Sequence, residues 1–269
     1  MHVSSATAPG SAHINPGRPG KMNNQDAVAV VTVPKKEIII AVLCDGCGSE
    51  PASEVGANIG AHLIAREIKN SLLAANDPSI RTIDWGRFSN AFSLLLKDAI
   101  ALFVKDKGVA AFEEEAQRHF LFTALILIVV KNQAIIVSFG DGVVMIDDEV
   151  IKLEPPIKNT PPYCSYTLFT ATGYHTPDMK QYLTFSVVRV IDDINALTKG
   201  IVVGTDGLIP LVGDDLHHPA LLLQPNALQQ WLNSQTSEQV RGDLFVGGRC
   251  FDDASLVIIR TDAAQARLL

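Results

Sequence analysis

Residues 38–48 read IIIAVLCDGCG, and the fold of the chain turns on how this stretch is read. An unbroken apolar run rich in β-branched side chains describes a buried strand, Glu37 to Cys44, that stops at Asp45-Gly46-Cys47-Gly48. Upstream, Ala27 to Val33 reads as a second strand, joined through Pro34-Lys35-Lys36, so the two are expected to form a hairpin. Downstream the period changes to that of a helix. Between Ala52 and Leu73, Ile64, Ile68 and Leu72 recur at four-residue spacing beside a stripe of Val55, Ile59 and Leu63. A helix rather than a returning strand after Asp45-Gly46 rules out a two-residue hairpin turn there.

Further out, Trp85, Phe88, Phe92, Leu95, Leu96, Ala99 and Leu102 mark a second helix, with Asp84 as its N-cap. Glu113 to Glu115 reads as an acidic turn with a solvated face. Strands are then expected over Leu121 to Val130, Ala134 to Phe139, Val143 to Ile146, Val150 to Leu153, Leu183 to Val190, Ile201 to Gly204 and Leu256 to Arg260. Pro155 to Gln181, with two Pro-Pro pairs, reads as a long surface excursion, and Ala227 to Leu232 as a short helix. Many strands around two central helices argue for an α+β domain over residues 21–262, with a mobile Pro/Gly/Ser-rich arm over 1–20 and a tail over 263–269.

Composition narrows the function. The 269 residues are 47% hydrophobic, enough for a sizeable core. With 22 Lys and Arg against 29 Asp and Glu, the net charge of −7 leaves no basic surplus for a phosphate backbone, so nucleic acid is not an expected partner. The longest strongly apolar stretch, Phe120 to Val130, is about half of what a membrane-spanning helix needs, so no membrane association is expected. The first residues show no signal-peptide pattern, and four cysteines suit a reducing compartment, so a cytoplasmic location is expected.

Asp45, Asp141 and Asp206 each end an apolar run and each precede glycine. For Asp141 an ordinary hairpin turn stays open, because another strand begins at Val143. Asp252-Asp253 stands before the last strand and Asn24-Gln25-Asp26 before the first. Carboxylates gathered at strand ends repel one another unless protons or a cation neutralise them, and oxygen-only ligands favour Mg²⁺ or Mn²⁺.

The order Asn24-Gln25-Asp26, Asp45-Gly46-x-Gly48, Thr123-Ala124, Gly140-Asp141, Thr205-Asp206-Gly207 and Asp252-Asp253-Ala254-Ser255 resembles the type 2C metal-dependent Ser/Thr protein phosphatases of bacteria, over residues 15 to 261. That resemblance implies a four-layer α/β/β/α sandwich of two antiparallel sheets flanked by helices, with a dinuclear Mn²⁺ or Mg²⁺ centre at one end. It implies Asp45 bridging two metals, the Gly46 carbonyl on one of them, Asp206 and Asp252 on the other, Asp26 supporting the site, and Asp141 holding a third, weaker metal. Two ions about 3.5–4 Å apart would activate a bridging water for in-line attack on a phosphoserine or phosphothreonine monoester. A phosphorylated protein substrate and a cognate Ser/Thr kinase are the implied partners.

The sequence also departs from the family's pattern. Lys21 stands five residues before Asp26, where the family places a phosphate-holding arginine, and lysine lacks the bidentate fork. Gly48 is followed by Ser49 instead of glycine, which could cap the helix behind it, and the variable residue of the turn is Cys47, no general acid. The 155–181 excursion is unlike the usual segment; Tyr163, Tyr166, Tyr174 and His175 within it are candidate substrate contacts. Cys44 reads as core and Cys47 as a turn residue rather than a CxxC metal or redox pair. Asp214-Asp215 and His217-His218 read as a solvated loop. Two rival functions remain open: a catalytically weak or inactive phosphoprotein-binding module, and a small-molecule phosphomonoesterase.

Overall fold

The computed structural model describes residues 1–10, 13, 23–105, 111–156, 160–169, 177–212, 226–236, 239–241, 244–246, 249–250 and 252–261. In chain order the elements are β1 (His2–Ala8), β2 (Ala27–Val33), β3 (Ile38–Gly46), α1 (Glu54–Ala74), α2 (Trp85–Phe103), α3 (Ala111–Phe120), β4 (Phe122–Val130), β5 (Gln133–Phe139), β6 (Gly142–Ile146), β7 (Glu149–Leu153), α4 (Pro177–Lys180), β8 (Ser186–Ile191), β9 (Ile201–Gly204), α5 (Ala227–Thr236), β10 (Gln239–Arg241), β11 (Leu244–Val246) and β12 (Ala254–Arg260). One antiparallel sheet has the order β2-β3-β4-β5-β8 and a second the order β1-β12-β9-β6-β7, while β10 and β11 form a separate ribbon.

The unbroken apolar run of β3 follows from burial on both faces. Ile38, Ile40, Val42 and Cys44 pack on one side with Ala57, Ile64, Ile68 and Leu72 of α1 and Phe92 and Leu96 of α2. Ile39, Ala41 and Leu43, pointing the other way, meet Val144, Val203, Val257 and Ile259 of the second sheet. A third cluster lies beyond that sheet, where Leu256 and Ile258 of β12 pack with Leu228 and Leu232 of α5. Three apolar layers separate four structural ones, so the α/β/β/α sandwich is realised. Asp84 caps α2 as expected, its Oδ1 accepting from the Arg87 N–H at 3.1 Å.

Four expectations need correction. Residues 2–8 of the expected arm are β1, paired along its whole length with β12. The segment carries weak strand signals, but Ala6 and Ala8 are small enough to fit under α5, and the β12 edge completes their hydrogen bonds. Glu113 to Glu115 belong to α3, and Glu115 is buried, with His119 Nδ1 3.1 Å away one turn on. The 155–181 excursion is not all surface: Cys164–Leu168 is a 3-10 turn whose Cys164, Ser165 and Tyr166, with Phe169, are buried against the α1–α2 layer. Ser49 does not cap α1; Ser53 precedes that helix, and the Ser49 hydroxyl instead meets the Cys47 thiol at 3.1 Å. The 263–269 tail lies outside the described residues. Among the described residues, no helix is long and apolar enough to cross a membrane.

Candidate active site

Strand parity carries Asp45 to the site. Odd positions of β3 face the second sheet, so Asp45 follows Leu43 on the inter-sheet side, opposite Thr123 of β4, at the end where the sandwich opens. Asp206 follows β9, Asp252 precedes β12 and Asp26 precedes β2, and in antiparallel sheets these termini share one end. Asp141 arrives by a different route. β5 and β6 lie in different sheets, so Gly140-Asp141-Gly142 is a crossing between layers and not the hairpin turn that was open for it. Its glycines have φ of +106° and +139°, a region side chains rarely adopt, and the crossing depends on them. Gly207 has a separate reason: a Cβ there would collide with the Asp253 carbonyl oxygen.

Asp45, Gly46, Asp141, Asp206 and Asp252 line one cavity of about 450 Å³, with Cys47, Gly48, Thr123 and Tyr163. Asp26 lies behind it, buried, its Oδ2 accepting from Thr205 Oγ1 at 2.8 Å. Burial drives the Asp45 carboxyl well above the usual range, and the neighbouring carboxylates Asp26, Asp206, Asp141 and Asp252 add to it. Asp26 is pushed up by burial and then by Asp253, against the hydrogen bonds of Thr205 and Ser255. Asp141 rises to about 7, through burial first and Asp206 next. Asp252 rises for the same two reasons. Two oxygens at this end, Asp26 Oδ1 and Gln25 Oε1, are buried with no hydrogen-bond partner. Converging carboxylates and unpartnered buried acceptors fit hard divalent cations.

The cluster stands on a hydrogen-bond frame. Thr205 Oγ1 accepts from the Ser255 N–H at 3.0 Å while donating to Asp26, and the Thr205 N–H donates to the Ser255 carbonyl at 3.0 Å. Ser255 Oγ and Asn24 Nδ2 both donate to Thr7 Oγ1 of β1, at 2.7 and 2.6 Å. Asp253 is buried and accepts the Gly10 N–H at 2.8 Å and the Gln25 N–H at 2.5 Å, and His13 Nδ1 is 2.7 Å from its Oδ1. Thr7 and His13 were missed in the sequence, lying in the supposed arm with at most a weak strand signal and no motif.

Of the other candidates, Tyr163 lines the cavity beside Cys47, whereas Tyr166 is buried in the helix-side core. Lys21, Tyr174, His175, Asp214, Asp215, His217 and His218 lie outside the described residues. Lys152 of β7 is the one cation among the described residues that line the cavity.

A bacterial serine phosphatase carrying an arginine-to-glutamate substitution has a similar structure, with a TM-score of 0.53 at 12% identity, covering 97% of this chain and 99% of that one. The arginine-to-alanine form of a bacterial serine phosphatase gives 0.51 at 12%, with 96% and 97% covered. The Ser/Thr phosphatase Stp1 from Staphylococcus aureus gives 0.48 at 12%, with 97% and 96% covered. At such identities the likeness to the first two is one of fold alone. Among curated proteins there is no match. The family model for Protein phosphatase 2C matches residues 10–244, nearly the whole chain, and on that ground the chain belongs to the protein phosphatase 2C family.

Proposed function

We propose that the protein is a metal-dependent phosphatase that hydrolyses phosphoserine and phosphothreonine monoesters in proteins. The observation that carries this is the convergence of Asp45, Asp141, Asp206 and Asp252 in one cavity, with Asp26 Oδ1 buried and unpartnered behind them. Such a cluster is costly to keep ionised without cations. Asp45, reaching the cavity from the first sheet, and Asp206 and Asp252, reaching it from the second, would hold two Mn²⁺ or Mg²⁺ ions with the Gly46 carbonyl. Asp26 would support them from below, and Asp141 would hold a third. When bound, the ions supply an activated water nucleophile and charge stabilisation for the transferring phosphoryl group.

The chain's own residues do the rest. The frame around Thr205, Ser255 and Asp253 holds the carboxylates in place before substrate arrives, so that little reorganisation accompanies reaction. Lys21, at the sequence position where the family places its phosphate-holding arginine, would hold the substrate phosphate as a point charge. Lys152, on the cavity wall, offers a second cation to the anionic substrate. No imidazole stands at the variable position of the turn, which is Cys47, so water would protonate the leaving alkoxide. Tyr163, held beside Cys47 with its hydroxyl kept protonated by burial, shapes the rim.

The test is hydrolysis of a phosphothreonine peptide and of an aryl phosphate, with Mn²⁺, with Mg²⁺ and with EDTA, alongside Asp45→Asn. Phosphate release that needs metal and vanishes in the variant is expected, with the peptide preferred. Equal or better use of the aryl phosphate would favour a small-molecule phosphomonoesterase. Mn²⁺ binding without turnover of either substrate would favour a phosphoprotein-binding module.

A further inference from the structure

The donor atoms of His13, Asp252 and Asp253 lie within 4.8 Å of one another, close enough to suggest a three-ligand metal site of their own. The hydrogen bonds argue otherwise. Both oxygens of Asp253 are engaged by backbone, Oδ1 by the Gly10 N–H and Oδ2 by the Gln25 N–H, and His13 Nδ1 also stands on Oδ1. A cation there would have to displace those contacts inside a buried pocket. Asp252 differs: it lines the cavity, and one of its oxygens, Oδ1, accepts the Asp253 N–H at 2.9 Å. Asp253 therefore links a cavity carboxylate, through one peptide unit, to three groups of the N-terminal segment.

His13 is well placed to lock that link. It is only 4% exposed, and its Cε1 would lie 3.9 Å from a Cβ on Gly48, the same point that Asp252 Oδ1 approaches to 3.8 Å. The imidazole thus fills the space between the glycine turn after β3 and the start of β12. We propose that His13 is a positioning residue of the metal centre: by packing on Asp253 it fixes the peptide that orients Asp252. β1, Gly10 and His13 then belong to the catalytic unit. This rests on the reading of Asp252 as a metal ligand.

Calorimetric Mn²⁺ titration of the full chain tests it, with the parent, His13→Ala, His13→Asn and His13→Gln compared. Partners behind a metal ligand typically contribute about 10- to 100-fold in affinity. His13→Ala is expected to bind Mn²⁺ about tenfold more weakly, or worse. Asn puts its amide nitrogen where Nδ1 stands and should remain within about threefold of the parent, whereas Gln puts it one bond further out and should resemble Ala. Unfolding in EDTA reports which variants fold; if Ala does not, the Asn and Gln pair decides. Pulsed EPR of Mn²⁺ on the parent should show no directly bound nitrogen. Ala within twofold of the parent, Asn and Gln alike, or a nitrogen on Mn²⁺ that Ala abolishes would each overturn the positioning role. A parent that binds no Mn²⁺ would instead overturn the metallophosphatase reading on which it rests.

Discussion

Without cations, the folded domain should lose stability as pH rises toward neutrality, the opposite of a domain held by salt-bridged carboxylates. Asp141 has a folded-state pKa of about 7 against an ordinary 3.8, because burial and then Asp206 oppose its ionisation. Between those values the folded state keeps a proton that the unfolded chain has released, so the native state binds more protons and each step up in pH favours unfolding. At about 1.4 kcal/mol per pH unit, the whole interval is worth about 4 kcal/mol for a group cut off from water. Asp141 lines an open cavity, so screening leaves about 2 kcal/mol. Asp45 and Asp26 push in the same direction. Asp147 does not interfere: burial opposes its ionisation, but the backbone N–H groups of Lys199, Thr198 and Gly200 outweigh that and lower its pKa, so its effect falls below the ordinary carboxylate range. A domain of this size shifts its Tm by about 2–4 °C per kcal/mol, and about two-thirds of the interval lies above pH 5, so Asp141 alone predicts a fall of about 3–5 °C between about pH 5 and about pH 7.5 in EDTA, to which Asp45 and Asp26 add. Saturating Mn²⁺ should reverse the slope, adding about 2.7 kcal/mol at a hundredfold excess over its Kd. Thermal melts followed by circular dichroism, with EDTA and with Mn²⁺, make the comparison. A metal-free Tm that is flat or rises across the interval would refute the electrostatic account of the cavity.

Asp45→Asn and Asp206→Asn should each abolish metal-dependent phosphate release yet melt in EDTA at or above the parent's Tm, since each removes a repelling charge; near-parental turnover in either would sink the two-metal assignment. Thr205→Val keeps the shape but strips Asp26 of the Thr205 hydroxyl donor and leaves the Ser255 N–H unsatisfied, for a loss of about 3 kcal/mol in urea unfolding. A loss below about 1 kcal/mol would mean that this frame is not what holds the carboxylates. Lys152→Glu should raise KM for a phosphopeptide several-fold with little change in kcat, and an unchanged KM would remove Lys152 from substrate binding.

The parts legible in sequence were those governed by local pattern. The continuous apolar run of 38–44 announced a strand with no solvent face, and the stripes at Ile64, Ile68 and Leu72 announced the helix over it. The Asp-Gly signals placed the carboxylates at strand ends. What stayed hidden depended on non-local pairing. β1 has little propensity of its own and exists because β12 offers an edge from the other end of the chain, His2 opposite Arg260 and Ala8 opposite Ala254. Glu115 reads as part of a solvated run, and only the fold shows it buried beside His119. The two-sheet topology reached the sequence reading through family resemblance, because periodicity says which residues are buried and not which sheet a strand joins.

Asp141 shows why the site as a whole could not be assembled from spacing. Between apolar runs, Gly-Asp-Gly satisfies a hairpin as readily as a crossing, and only the sheet order decides between them. Once β5 and β6 are in different sheets, the same three residues acquire a different physics. The chain must turn out of one layer and into the next within one aspartate, both glycines adopt positive φ, and the side chain between them lines the opening of the sandwich. The carboxylates then divide between layers, Asp26 and Asp45 from one sheet, Asp206 and Asp252 from the other, with Asp141 on the bridge. Their mutual repulsion acts across the inter-sheet core, and cations held among them would pull the two sheets together at that end. In such an arrangement a ligand of the catalytic centre is also a constraint on the fold, which is why the stability of the domain and its activity should respond to the same metal.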